Sequence, residues 1–203
     1  MPRLRSVTGK LLLRNLTEPL TKFKSVERGK KSLLKRPEQN EYDPYFSRYI
    51  ELVPENDILA FLDRQRNRIN VFFGHLSEEL GSHRHERGKW GFKEVLGHIS
   101  DSERVMSYWM LSVARGDAMK LLGYDQDTYV NNGCFGEHTI AELLVDFEAV
   151  RQATRTLLTT IAETDWLRAG HVADKAVTAR SLLYVMVGHT EHHLHVIQQQ
   201  FGR

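Results

Sequence analysis

Apolar residues return at helical spacing in four stretches of the chain. Between 55 and 80, Ile58, Phe61, Leu62, Ile69, Phe72, Phe73, Leu76 and Leu80 keep close to a 3.6-residue period that closes at Gly81. Between 92 and 114 the stripe is Val95, Ile99, Val105, Met106, Trp109 and Val113, ended by Arg115-Gly116-Asp117. A third helix is predicted over 139–163, where Thr139 and Glu142 have the spacing of a capping box. Its apolar face is Ile140, Leu143, Leu144, Phe147, Val150, Leu157 and Ile161. The fourth covers 178–200. Pro37 to Pro54 reads as an extended lead-in anchored by Tyr42, Tyr45, Phe46 and Tyr49. The connections 117–138 and 164–177 read as loops, and loops of this length inside a domain are often functional. Four long helices with few strand signals predict an all-α four-helix bundle, a fold that builds its sites from side chains on facing helices.

Charge divides the chain. Residues 1–40 hold eleven Lys or Arg and three Asp or Glu, a balance of +8, which leaves −6 for the rest. No apolar period accompanies the basic segment, so 1–40 reads as an extension with little order of its own, ahead of a bundle domain at 41–203. It is also the one hint of nucleic-acid binding, which is not otherwise expected. A single cysteine, Cys134, excludes an internal disulfide framework and a Cys-rich zinc site, and fits a reducing cytoplasm. No apolar run is long enough for a membrane span.

Candidate chemistry concentrates in Gly188-His-Thr-Glu-His-His-Leu194. His189 and His193 are four residues apart and share a face with Leu182, Met186 and Val196. Two imidazoles on an apolar stripe need a partner, and neutral imidazole is a common ligand of divalent metals. The i, i+3 couples His189/His192 and His192/His195 compete for the same role. His192 falls on the flank of the stripe and reads as a substrate-side group or as one that supports the ligands. His195 and Glu191 fall on the solvent side. The motif is not HExxH, because Thr190 follows the first histidine. Among the other histidines, His98 is mid-helix, on the stripe of Val95, Ile99, Ser102 and Val105. As a third inward imidazole it would complete a three-nitrogen set with an open position, the arrangement of catalytic rather than structural zinc. Asp101, three residues on, is the better candidate to orient it. Trp90 and Trp109 read as core rather than as substrate platforms, and Cys134 as inert.

Three segments together, Trp90-Gly-Phe-Lys-Glu-Val-Leu-Gly-His98-Ile-Ser-Asp-Ser-Glu-Arg104, Ala114-Arg-Gly-Asp117 and Gly188-His-Thr-Glu-His-His-Leu194, resemble the DinB-like superfamily, with its YfiT-like branch of metal-dependent hydrolases. The resemblance covers about 41–203 and leaves 1–40 outside. It implies an up-down-down-up four-helix bundle, a homodimer, and one divalent metal, Zn or Ni, held by His98, His189 and His193. It also implies a small-molecule thiol and a small electrophile as reactants of an S-transferase in detoxification or stress response. The alternatives are a hydrolase that uses water on the same metal and a metal-binding stress protein without turnover.

Overall fold

The computed structural model describes residues 34–54, 57–84, 86 and 88–201, with the last two as backbone only. Most of the predicted basic extension lies outside the described residues. Its final part does not: Leu34 is buried and its carbonyl accepts from the Tyr184 hydroxyl at 2.9 Å, while Arg36 donates to the Val53 carbonyl at 2.7 Å. The folded domain therefore reaches back at least to Leu34.

Four long helices make the bundle: α1 (Ile58–Gly74), α2 (Phe92–Arg115), α3 (Ile140–Thr160) and α4 (Ala179–Phe201). Their cross-links define the topology. Asp63 pairs with Arg155 and Arg66 with Glu148, so α1 and α3 run antiparallel. Arg104 pairs with Asp146 and Arg115 donates to the Thr160 carbonyl, so α2 and α3 run parallel. Gln65 donates to the Val187 carbonyl and Arg68 pairs with Glu191, so α1 and α4 run parallel. The order is up-down-down-up. Parallel neighbours in sequence need a connection as long as the bundle, which accounts for the length of 116–139.

A buried polar layer crosses the bundle at mid-height with one contribution from each helix. Arg151 of α3 donates to Glu103 of α2 at 3.1 Å and, through both Nη groups, to the Gln65 side-chain oxygen of α1 at 3.2 Å. The Gln65 amide donates onward to Glu191 of α4 at 3.1 Å, and Arg68 closes the chain on the other Glu191 oxygen at 2.8 Å. Gln65, Glu103, Arg151 and Glu191 are all at or below 4% exposed, so these charges depend on one another. The layer divides the apolar core. One half gathers Ile58, Leu62, Met110 and Leu182 to Val187; the other gathers Ile69, Phe73, Leu96, Ile99, Phe147, Leu194 and Ile197.

Four predicted elements take another form. The lead-in expected to be extended coils into two 3-10 turns, Gln39–Glu41 and Pro44–Phe46, and a short helix, Ser47–Ile50. The first helix stops at Gly74 and restarts at Glu78–Ser82, because Ser77 caps the Leu80 amide. The loop 117–138 holds a short helix, Gln126–Asn132, capped by Asp125. The loop 164–177 contains an antiparallel hairpin, Ala169–Val172 (β1) with Lys175–Thr178 (β2). Its turn residues Ala173 and Asp174 both have positive φ, 48° and 64°, as a tight two-residue hairpin turn requires. The capping box predicted at Thr139 and Glu142 forms in both directions. No helix among the described residues is long and apolar enough to cross a membrane.

Arg151→Met strands Glu103 in the core without its cation. Denaturant unfolding should show a loss of about 3–5 kcal/mol. A loss under 1 kcal/mol would show that the layer does not hold the helices together.

Candidate metal centre

His98 projects from α2 toward α4, where His189 and His193 stand one turn apart. The three Nε2 atoms form a nearly equilateral triangle: His98 to His189 3.2 Å, His98 to His193 3.1 Å, His189 to His193 3.2 Å. Three ring nitrogens in mutual contact cannot all donate to one another, so a cation or proton is needed among them. Burial resists the proton. It lowers His98 to about 4 and His193 to about 3, with the neighbouring rings His98 and His192 adding to the effect at His193. His189 is held well below its ordinary value by burial first and then by His193 and His98. Neutral imidazoles are the form that binds metal. Nitrogens bonded at about 2.0–2.1 Å to a tetrahedral ion stand roughly 3.3 Å apart, close to the observed edges. The set fits a divalent ion with one position left open. Among the described residues it is the one group of His, Cys, Asp and Glu side chains so converged.

A glycine precedes a ligand on each helix, and both glycines are sites of close approach. A Cβ on Gly97 would meet the Phe135 ring at 2.3 Å, and one on Gly188 would meet the Tyr49 carbonyl oxygen at 2.0 Å. The contact at Gly188 seats the short helix Ser47–Ile50 directly on α4 and brings the Tyr49 ring edge-on to His189, 5.4 Å between centroids. Trp90 packs on the other side, 4.6 Å from the His98 ring and stacked over His193.

The expected neighbours are distributed differently. Asp101 turns away to Arg104, at 3.3 Å. The group beside His98 is instead Ser102, one helical turn on, whose hydroxyl lies 3.4 Å from the ring nitrogens and 2.6 Å from the Tyr124 hydroxyl. Glu191 does lie opposite the ligand face, as the helical wheel predicts, but that face meets α1 rather than solvent, so its carboxylate is buried. His195 is on the surface, 3.4 Å from Glu191. His192 sits on the flank, its ring 5.8 Å from Tyr49 and 5.3 Å from His193. Trp90 is half-buried against the triad, and Trp109, though buried, lines the cavity described next. Cys134 is exposed and does not line the cavity. The sequence marked Tyr49 only as an anchor of the lead-in and Ser102 only as a position on the His98 stripe, and it left Tyr124 unmarked, although Ser102 stands at i+4 from His98, the spacing that singled out the histidine pair.

Two members of the triad, His189 and His193, line a cavity of about 480 Å³ together with His192; His98 stands behind them, outside its walls. The walls are aromatic, with Tyr45, Tyr49, Trp109 and Tyr124, and none of the lining side chains is a carboxylate. Burial pushes the Tyr124 phenol up to about 12, so it remains an O–H donor at neutral pH.

Two outcomes follow. Gly188→Ala forces Tyr49 off α4, and thermal unfolding should register a loss of about 1–3 kcal/mol; an unchanged midpoint would mean that the contact is dispensable. For the metal-free protein, the unfolded chain takes up protons below about pH 6.5 that the folded triad refuses. Stability is therefore complete above that pH and falls as pH drops toward 4, by up to about 1.4 kcal/mol per pH unit for each histidine. Melting curves at pH 7.5, 6 and 5 should show this fall, and His98→Gln should flatten it. A flat wild-type profile would contradict a buried neutral triad.

Comparison with known proteins agrees with this geometry. The family model of the DinB superfamily matches residues 62–197, a span that holds all three histidines and the polar layer. No curated protein matches the sequence. A solved structure, YfiT from Bacillus subtilis, described as a probable metal-dependent hydrolase with an unusual four-helix bundle topology, superposes with a TM-score of 0.63 at 14% identity, over 83% of this chain and 95% of that one. With two-thirds of its length matched and the bundle order in place, this chain belongs to the DinB superfamily.

Proposed function

We propose that the protein is a divalent-metal-dependent enzyme that joins a small-molecule thiol to an electrophile, with His98, His189 and His193 holding Zn or Ni. The observation that carries this reading is a converged, neutral, three-nitrogen set, two of whose rings, His189 and His193, line a cavity without a carboxylate. When bound, the ion lowers the pKa of a thiol at its open position so that a thiolate forms near neutral pH.

The surrounding residues suit thiol chemistry better than hydrolysis. Water is a much weaker acid than a thiol, and helix-borne HExxH zinc sites add a carboxylate base to activate it. Here the nearby carboxylates are engaged elsewhere: Asp101 with Arg104, Glu103 with Arg151, Glu191 with Gln65 and Arg68. A thiol needs only a modest proton acceptor. His192 is beside the triad and stays neutral, because burial and the Arg48 charge both lower its pKa. Tyr124, kept as a phenol, offers an O–H to charge that develops on the electrophile. The Trp109 and Tyr124 rings supply flat apolar wall for the body of a substrate.

The description of YfiT supports a second reading, in which water replaces the thiol as nucleophile. One experiment separates them. Purified protein should carry about one divalent ion per chain, and His98→Ala or His193→Ala should lose it while the helical circular dichroism persists. Consumption of monochlorobimane should require both metal and added thiol and fall by at least about 100-fold in either variant. Protein that stays metal-free after refolding with Zn or Ni would overturn the metal centre. Ester hydrolysis that needs metal but no thiol would select the second reading.

A further inference from the structure

The open side of the cavity is framed by two cations to which the proposed thiol chemistry assigns no contact with a reactant. Arg48, from the short helix that Gly188 seats on α4, places its Cζ 4.3 Å from the centroid of the Tyr45 ring and 4.8 Å from that of Tyr49. Lys175, the first residue of β2, places its Nζ 4.8 Å from the same Tyr45 ring. Two like charges thus share one aromatic ring and stand no more than about 9 Å apart. At that separation they repel across less than about one Debye length. Neither is ion-paired with a carboxylate among the described residues. The adjacent acid on the hairpin turn, Asp174, bonds Lys120 at 2.7 Å.

Attraction to the ring faces holds both cations at the rim without neutralising them. None of the side chains that line the cavity is negative, so its walls do nothing to offset them. A guanidinium and an ammonium on one ring make a receptor for a carboxylate, which the planar fork of arginine grips with two parallel bonds. The distance to the reactive end is short. The Tyr49 ring that touches Arg48 also touches His189, so the guanidinium lies within about 10 Å of that imidazole. A ligand that reaches from the triad to the rim is about as long as a substituted benzoate.

We propose that Arg48 and Lys175 form an anion subsite that selects carboxylate-bearing reactants, with the carboxylate at the rim and the reacting atom at the triad. The location of the reacting atom rests on the thiol-transfer reading; the charge of the ligand does not. The subsite explains why the hairpin and the lead-in, neither of which supplies a metal ligand, converge on the mouth of the cavity.

Isothermal titration of the metal-loaded protein with 4-mercaptobenzoate and with 4-mercaptobenzamide tests it. The two probes match in size and differ in charge. The benzoate should bind about ten-fold more tightly at low salt. That preference should fall to about two-fold in Arg48→Gln/Lys175→Gln and in 0.5 M salt, where surface charges are screened. A parallel titration of the metal-free protein with benzoate and benzamide, followed by ligand-observed NMR, excludes direct ligation of the ion by the carboxylate. Benzoate should again be favoured, and again not in the double variant. If both mercaptans bind the wild type equally, the subsite is overturned and the thiol reading stands. If neither mercaptan binds but metal-free protein prefers benzoate, the subsite stands and the thiol reading falls. A preference that survives in the double variant places the anion elsewhere and overturns the assignment.

Discussion

Four buried side chains, Gln65, Glu103, Arg151 and Glu191, connect every helix of the bundle at one level, and the alignment of all else depends on that level. Each charge has been taken out of water and depends on its partners in the layer, with Arg68 added at Glu191, so a slip of any helix by one turn would leave an isolated ion in the core. Apolar side chains tolerate such slips far better, because Leu against Leu is nearly the same one turn along. The two apolar halves supply the bulk of the stabilisation, whereas the polar layer between them selects one register. The ligand triad inherits its accuracy from this. Glu191 lies between His189 and His193 in sequence and points the other way, so α4 is held on one face by α1 while its opposite face presents imidazoles to α2.

Close approach supplies the second constraint. Gly97 and Gly188 each precede a ligand, and each lets a neighbouring segment come nearer than any side chain would allow. Through these contacts the shell around the triad comes from outside the bundle. Phe135 arrives from the long α2–α3 connection, and Tyr49 from the lead-in. A Gly-His pair is thus a unit in which the histidine joins the triad and the glycine admits the residue packed on that helix.

The sequence disclosed the bundle and the triad for the same reason. Both depend on the helical period, and His98, His189 and His193 fall on stripes that also carry Ile99 or Met186. What it concealed follows other rules. The hairpin turns on Ala173 and Asp174, neither of which advertises positive φ as glycine would. The helix Gln126–Asn132 is too short to display a period. Tyr49 and Tyr124 reach the cavity through tertiary packing alone, and nothing in their local sequence distinguishes them from other tyrosines. The angular position of Glu191 was legible, but its surroundings were not, since a helical wheel locates a side chain without saying which helix faces it. Asp101 failed for a related reason: Arg104 and Asp146 compete for that side of α2, and at i+4 Ser102 is better placed beside the ring.

His98 and His193 are separated by 95 residues, and no shorter segment of the chain contains the centre. The unfolded chain consequently has no local precursor for an ion to hold, apart from the single turn that bears His189 and His193. In linkage terms, affinity at the triad and stability of the bundle are two measures of one equilibrium. A substitution far away, in the polar layer or at Leu34, would weaken metal binding at the triad in proportion to the fraction of chains it unfolds. In a compartment where metals are scarce, the ion would report on the folding of the whole domain.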